Sequence, residues 1–318
     1  MNTSARVAPK QAESIAVSKT LAQAHRRGLW LGLLGVAIFA LTLPMTRLAV
    51  GTADAPQMSG VFIALGRAVV AGALSAMFLL ATRAPLPRGA QWQQLALVAG
   101  GVVFGFPLCT SIAMRHVEAV HASVIVGVLP LATAAVGAWL HAQRPSAGFW
   151  ICAATGTGLV VAYAIIRSGV SGLTISPADG LLLLAMACAA VGYGYGAKLS
   201  QTMRAEHVIC WALVLSLPLT VPLAALQWPQ AAIKPVAWWA FAYVAVFSMW
   251  LGFFAWYRGL ALGGTVRVSQ VQLVQPFLSM LFAVPLLGET LDALTLAFGL
   301  AVIAVVFVGK RMPVHRAA

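Results

Sequence analysis

The sequence predicts an all-α fold: a polytopic membrane protein of ten transmembrane helices arranged as two inverted five-helix repeats. Three observations carry this: composition, the spacing of apolar runs, and a likeness between the two halves. Of 318 residues, 61% are hydrophobic and 8% charged, and the mean hydropathy is +0.91. Soluble domains carry about 25% charged residues. This chain has too few to wet a closed surface, which excludes a soluble enzyme or a soluble nucleic-acid binder. A bilayer crossing takes about 20 apolar residues, so ten use roughly 200 and leave a short tail and tight loops.

Residues 1–28 are polar and basic (Arg6, Lys10, Lys19, Arg26, Arg27) and lack an apolar core followed by a small-residue cleavage site. They read as a retained cytoplasmic tail. Ten apolar stretches follow, centred near Val36, Val69, Val103, Val128, Leu159, Met186, Leu215, Val246, Leu281 and Ile303. Charges or Gly/Pro turns mark their ends, as in Thr82 to Arg88 and at Gly263-Gly264. The expected divisions are the tail (1–28), a first repeat (29–168) and a second repeat (178–311).

Basic residues set the orientation, because Lys and Arg of short loops stay on the cytoplasmic side. With the N-terminus inside, 15 basic residues fall on inner segments and 4 (Arg47, Arg115, Arg167, Lys234) on outer ones, while Arg67 lies within a span. Both termini are therefore expected in the cytoplasm, with the chain in the cytoplasmic (inner) membrane.

A shift of 146 residues lays Pro130 on Pro276, Ser123 on Ser269 and Ala113 on Gly259. A further gap of three lays Gly156 on Gly299. Five spans per half make the second copy enter the membrane upside down. Inverted repeats of this kind let secondary transporters alternate access around a site near the midplane.

Signals for other chemistry are absent from the sequence. Cys109, Cys152, Cys188 and Cys210 sit in or beside apolar runs without metal or disulfide spacing, and read as small core residues. His116 and His121 flank Glu118 but are five apart, about 140° around a helix, where a zinc-binding HExxH needs four. There is no GxSxG, Walker loop or paired intramembrane carboxylate. The expectation is no enzyme, no cofactor and no metal.

The first span, Phe39-Ala-Leu-Thr-Leu-Pro-Met-Thr-Arg47, together with Arg67, Ala113 before Pro130, and Leu287-Gly288-Glu289 after Pro276, resembles EamA-type transporters of the drug/metabolite transporter superfamily. The resemblance covers about residues 29–311. Phe39-Ala40 stands where Trp-Gly is usual, and His141-Ala142-Gln143 where Gly-Glu is typical. The resemblance implies ten-helix inverted repeats that move small metabolites or amphipathic compounds, often outward.

Arg67 lies about nine residues, or about 14 Å, into its span, close to the middle of a 30 Å core. Such a charge faces a cavity or a partner. Either it binds an anionic or zwitterionic substrate group, or it bonds to backbone carbonyls freed at a helix break. Ser269, Gln272, Gln275 and Ser279 share one face of the ninth span beside Pro276, as substrate contacts or as glue between helices. Trp250 and Tyr193 are aromatic candidates for cavity lining or for anchoring at the interface. Pro130 and Pro276 are the expected helix breaks. Gly101-xxx-Gly105 and Gly192-xxx-Gly196 read as faces for close helix packing. All seven acids fall in tails, loops or helix ends, so no buried carboxylate is expected to carry a coupling proton, and Glu118 beside His116 is the best titratable pair. The expected function is export of a small organic metabolite by alternating access. Its partners are that substrate and the lipid bilayer, without nucleic acid; a homodimer is compatible. The alternative is a polytopic scaffold or sensor without transport.

Overall fold

The computed structural model describes residues 7–140, 143–167, 176–288, 290–309, 312 and 314–316. Eight helices among them are long and apolar enough to cross a membrane: α1 (Gln23–Val50), α2 (Gly60–Ala81), α3 (Ala90–Ala113), α4 (Ala119–Leu140), α6 (Pro177–Leu199), α7 (Ala205–Leu226), α8 (Pro235–Gly263) and α9 (Ser269–Leu287). Two further apolar helices are α5 (Ala147–Arg167) and α10 (Ala293–Gly309). The helix of α1 reaches back to Val7, so much of the basic tail continues the first span rather than forming a separate element. A three-residue antiparallel ladder pairs Gln143–Pro145 with Val314–Arg316.

Local chemistry sets the ends. Ser59 caps α2 by accepting from the Phe62 N–H. Ser176 and Asp179 form a reciprocal capping box on α6, with Pro177 in the first turn where its missing N–H is harmless. Gly288 closes α9 in the left-handed region at φ 67°, which glycine adopts without a Cβ clash.

The helices pair in a pattern that the 146-residue shift maps onto itself. α1 packs on α8 and α3 on α6, while α2 meets α7, α4 meets α9 and α5 meets α10. Glycines permit the closest of these approaches. A Cβ on Gly101 of α3 would sit 2.5 Å from the Cys188 carbonyl oxygen and 2.9 Å from the Gly192 Cα on α6.

Departures from α geometry recur at matching places. π-Helical turns occupy Ala99–Gly105 of α3 and Val244–Leu251 of α8, offset by 145 residues at their starts and 146 at their ends. α4 is interrupted between Val126 and Leu129, and Pro130 is the second residue of its resumed helix. In α9 a 3-10 segment, Ser269–Val274, precedes the helix Gln275–Leu287, of which Pro276 is likewise the second residue. Trp139, Trp239 and Leu80 are among the large apolar side chains left on the outside, as expected where lipid is the solvent.

Candidate functional site

The irregular turns converge on a central cleft. Its walls are Phe39 and Thr42 of α1, Arg67 of α2 and Val102 and Phe106 of α3 from one half of the chain. Tyr193 of α6, Ser248, Met249 and Phe253 of α8 and Gln275 of α9 come from the other. The space these side chains enclose is small, about 20 Å³, room for a water molecule, so an organic solute enters only when the walls part. Val102 and Ser248, 146 residues apart, project from the two π turns. Such turns widen a helix locally and recur at functional sites.

Thr42 follows a break in α1 at Leu41, and its hydroxyl lies 2.8 Å from the Ser248 hydroxyl, tying α1 to α8. Pro44 has no N–H, which frees the Ala40 carbonyl, and Ser279 Oγ donates to that oxygen at 2.7 Å. Ser279 thus serves as glue between α9 and α1. Behind the cleft, Phe39 stacks on Tyr193 with ring centroids 6.4 Å apart and packs at 5.1 Å against Phe253, while Tyr193 meets Trp256 at 5.4 Å.

Arg67 is the unusual group. Only 1% of it is exposed, and its Nε and Nη1 have no hydrogen-bond partner, although it borders the cleft. Of the two readings open from sequence, bonding to freed carbonyls is not what these two nitrogens do. Gln275 also borders the cleft with its Oε1 unpartnered. Buried donors and acceptors left this way lose their hydration without recompense. Two guanidinium donors and one amide acceptor around one small space can grip a solute that carries an anionic group and a hydrogen-bond donor.

The structure brings Arg67, Tyr193 and Gln275 together and leaves the other candidates outside the lining. Ser269 Oγ donates to the Val266 carbonyl three residues before it, just ahead of α9. Gln272 is buried with both amide atoms unpartnered, but it does not line the cleft. Trp250 packs on Phe78 and Phe254 instead, its indole N–H unpartnered. Sequence reasoning did not single out Thr42, Phe106, Ser248 and Phe253. The break around Pro44 was the one available signal for Thr42. Among the described residues no group of His, Cys, Asp and Glu could hold a metal ion.

Asp179 lies at a helix start, as its place in the sequence implies, and is nonetheless buried: it is 3% exposed and its Oδ1 lies 2.6 Å from His121 Nε2. The partners are 58 residues apart, a separation that no local spacing rule detects. His116, by contrast, is exposed.

The EamA-like transporter family matches residues 26–165 and, separately, 176–309. The uncharacterized transporter YdeK of Bacillus subtilis (strain 168) is 43% identical over 283 residues, covering 88% of this chain and 96% of YdeK. A protein of known crystal structure shares the fold at a TM-score of 0.61 and 18% identity, over 88% of this chain and 98% of its own.

Proposed function

We propose, from the premise that the chain belongs to the EamA-like transporter family and is a membrane transporter, that it exports a small organic metabolite by alternating access around the central cleft. Arg67 holds the anionic end of a carboxylate or zwitterionic solute, and Gln275 accepts from a donor on the same molecule. Phe39, Tyr193 and Phe253 form an apolar wall for its body. The buried guanidinium of Arg67, its Nε and Nη1 unpartnered beside a cleft walled by helices of both halves, carries this reading. A scaffold or sensor has no use for such an uncompensated charge. Rocking of one repeat against the other is supported by the self-mapping helix pairs and by the matched π turns and proline breaks. Ser269, Gln272 and Trp250 serve as second contacts reached when the cleft changes shape.

A thermal-shift screen of the purified protein against amino acids, organic acids, nucleosides and cationic drugs tests the solute class. A ligand at 100 times its Kd stabilises the folded state by about 2.7 kcal/mol, a shift of several degrees. Stabilisation is expected from carboxylate-bearing compounds and not from cations, which Arg67 repels. Stabilisation by cations alone would reject the assignment of Arg67.

The topology goes with this reading: ten crossings, the second repeat inverted, both termini in the cytoplasm. Reporter fusions at Ala318 and near Ser171 are expected on opposite sides of the membrane, Ala318 inside and Ser171 outside. A cytoplasmic signal at Ser171 contradicts the inversion.

A further inference from the structure

Away from the cleft, at the beginnings of α4 and α6, two titratable side chains close a seam between the halves. His121 is the third residue of α4, Asp179 the third of α6, and both are buried. Their 2.6 Å contact is at the short end even for charge-assisted hydrogen bonds. Asp179 is held from behind. Its Oδ2 accepts from the Ser176 N–H at 3.2 Å and the Ser176 hydroxyl at 2.8 Å, so its carboxylate cannot swing away from α6. The His121 ring lies 5.5 Å from the ring of Tyr163 on α5, whose hydroxyl is 3.0 Å from the Thr295 hydroxyl on α10. One imidazole thus joins α4 and α6 and rests on a contact that reaches α5 and α10.

The geometry points to a proton site at this seam: His121 and Asp179 together bind one proton from the outer side, and that proton holds the outer ends of the two repeats shut. The transfer is a simple one. A neutral imidazole donating through Nε2 to the carboxylate leaves a buried pair of net charge −1. A proton taken from outer water onto Nδ1 makes an imidazolium-carboxylate pair of net charge zero. An uncompensated buried charge is strongly disfavoured, whereas a paired one with its remaining lone pairs satisfied is tolerated. The protonated seam therefore favours closure, and its loss as the outer pH rises favours hydration and parting of α4 from α6.

Among the described residues, few other charges bear on the pair. On the approach to α4 stand Arg115, His116 and Glu118. α6 carries, besides Asp179, only Lys198 at its far end, and the Gln275–Leu287 helix of α9 carries no charge. Tyr163 is the titratable group on α5 that meets the ring. Asp292, just before α10, uses Oδ1 to accept from the Thr295 N–H. Arg47 on α1 is turned to the Met114 carbonyl. The helix start of α6 favours the carboxylate, while that of α4 works against an imidazolium, which leaves the pairing with Asp179 as what retains the proton.

The site rests on the two-repeat reading but not on the solute assigned to Arg67, so its test uses no solute. Spin labels on Val117→Cys and Gly180→Cys, in a protein whose four native cysteines are replaced, report the α4–α6 separation in lipid nanodiscs. Between roughly pH 5.5 and roughly pH 8.5 the longer-distance population is expected to grow about threefold or more. His121→Gln, which cannot take up the proton, is expected to remove that response. His121→Arg, permanently charged, is expected to keep the short distance at both pH values. A distribution in the His121 protein that stays fixed across this range overturns the proposal, as does an equal pH response in both variants. Failure here leaves the Arg67 cleft standing, and a failed solute screen leaves this site standing.

Discussion

Replacing Arg67 with leucine is expected to weaken solute binding by ~30-fold or more while raising the apparent melting temperature of the solute-free protein. The two effects have one cause. Arg67 is buried with Nε and Nη1 unpartnered, so the empty protein bears an uncompensated charge that leucine removes. Replacing buried ionic groups with apolar ones is often neutral or stabilising. Removing one partner of a desolvated charge pair costs the complex about 2–5 kcal/mol, and the lower figure already gives ~30-fold. Arg67→Lys keeps the charge but loses the two-pronged geometry, and should fall between. Melting curves and solute titrations on the same preparations check both effects. A leucine variant with lowered melting temperature and little folded protein would make Arg67 a structural element instead.

Gly101→Ala is expected to destabilise the protein by about 3 kcal/mol and to abolish transport, whereas Gly100→Ala next to it leaves both intact. A Cβ at Gly101 meets backbone, the Cys188 carbonyl oxygen at 2.5 Å, so relief requires α3 and α6 to move apart. A Cβ at Gly100 meets nothing within 4 Å, and alanine there improves helix propensity slightly. Parting α3 from α6 displaces Val102 and Phe106 from Tyr193 across the cleft. Thermal unfolding in detergent and transport in liposomes separate the pair of variants. Equal stability for both would mean that α3 and α6 do not approach this closely.

The membrane fold could be read from composition and from the length of the apolar runs, because hydropathy acts locally and summed over about 20 residues it is unambiguous. Arg67 was legible for the same reason: a charge in the middle of an apolar run stands out wherever its partners lie. Which polar residues of the ninth span share its cleft was not. Ser269, Gln272 and Gln275 lie on one face of an ideal helix, but the 3-10 segment Ser269–Val274 turns each residue by a different angle, and only Gln275 lines the site. The π turns of α3 and α8 carry no sequence signature of their own, so Ser248 and Phe106 could not be found from spacing. The contact between His121 and Asp179 was not legible, because the sequence neighbours of either residue say nothing of the other. Their meeting depends on α4 lying against α6, a tertiary fact.

The central claim is alternating access through a single cleft, and counterflow measures it most directly. Purified protein is placed in liposomes loaded with a high concentration of an unlabelled solute identified by the stability screen, with a trace of labelled solute outside. A carrier that exposes one site to each side in turn draws label inward above its equilibrium level for a time, before both pools relax. The account predicts such an overshoot, reduced at least ~30-fold in initial rate by Arg67→Leu at low solute concentration. Label that rises only to equilibrium, with or without solute inside, would contradict it, because that behaviour belongs to a pore or to a protein that does not transport.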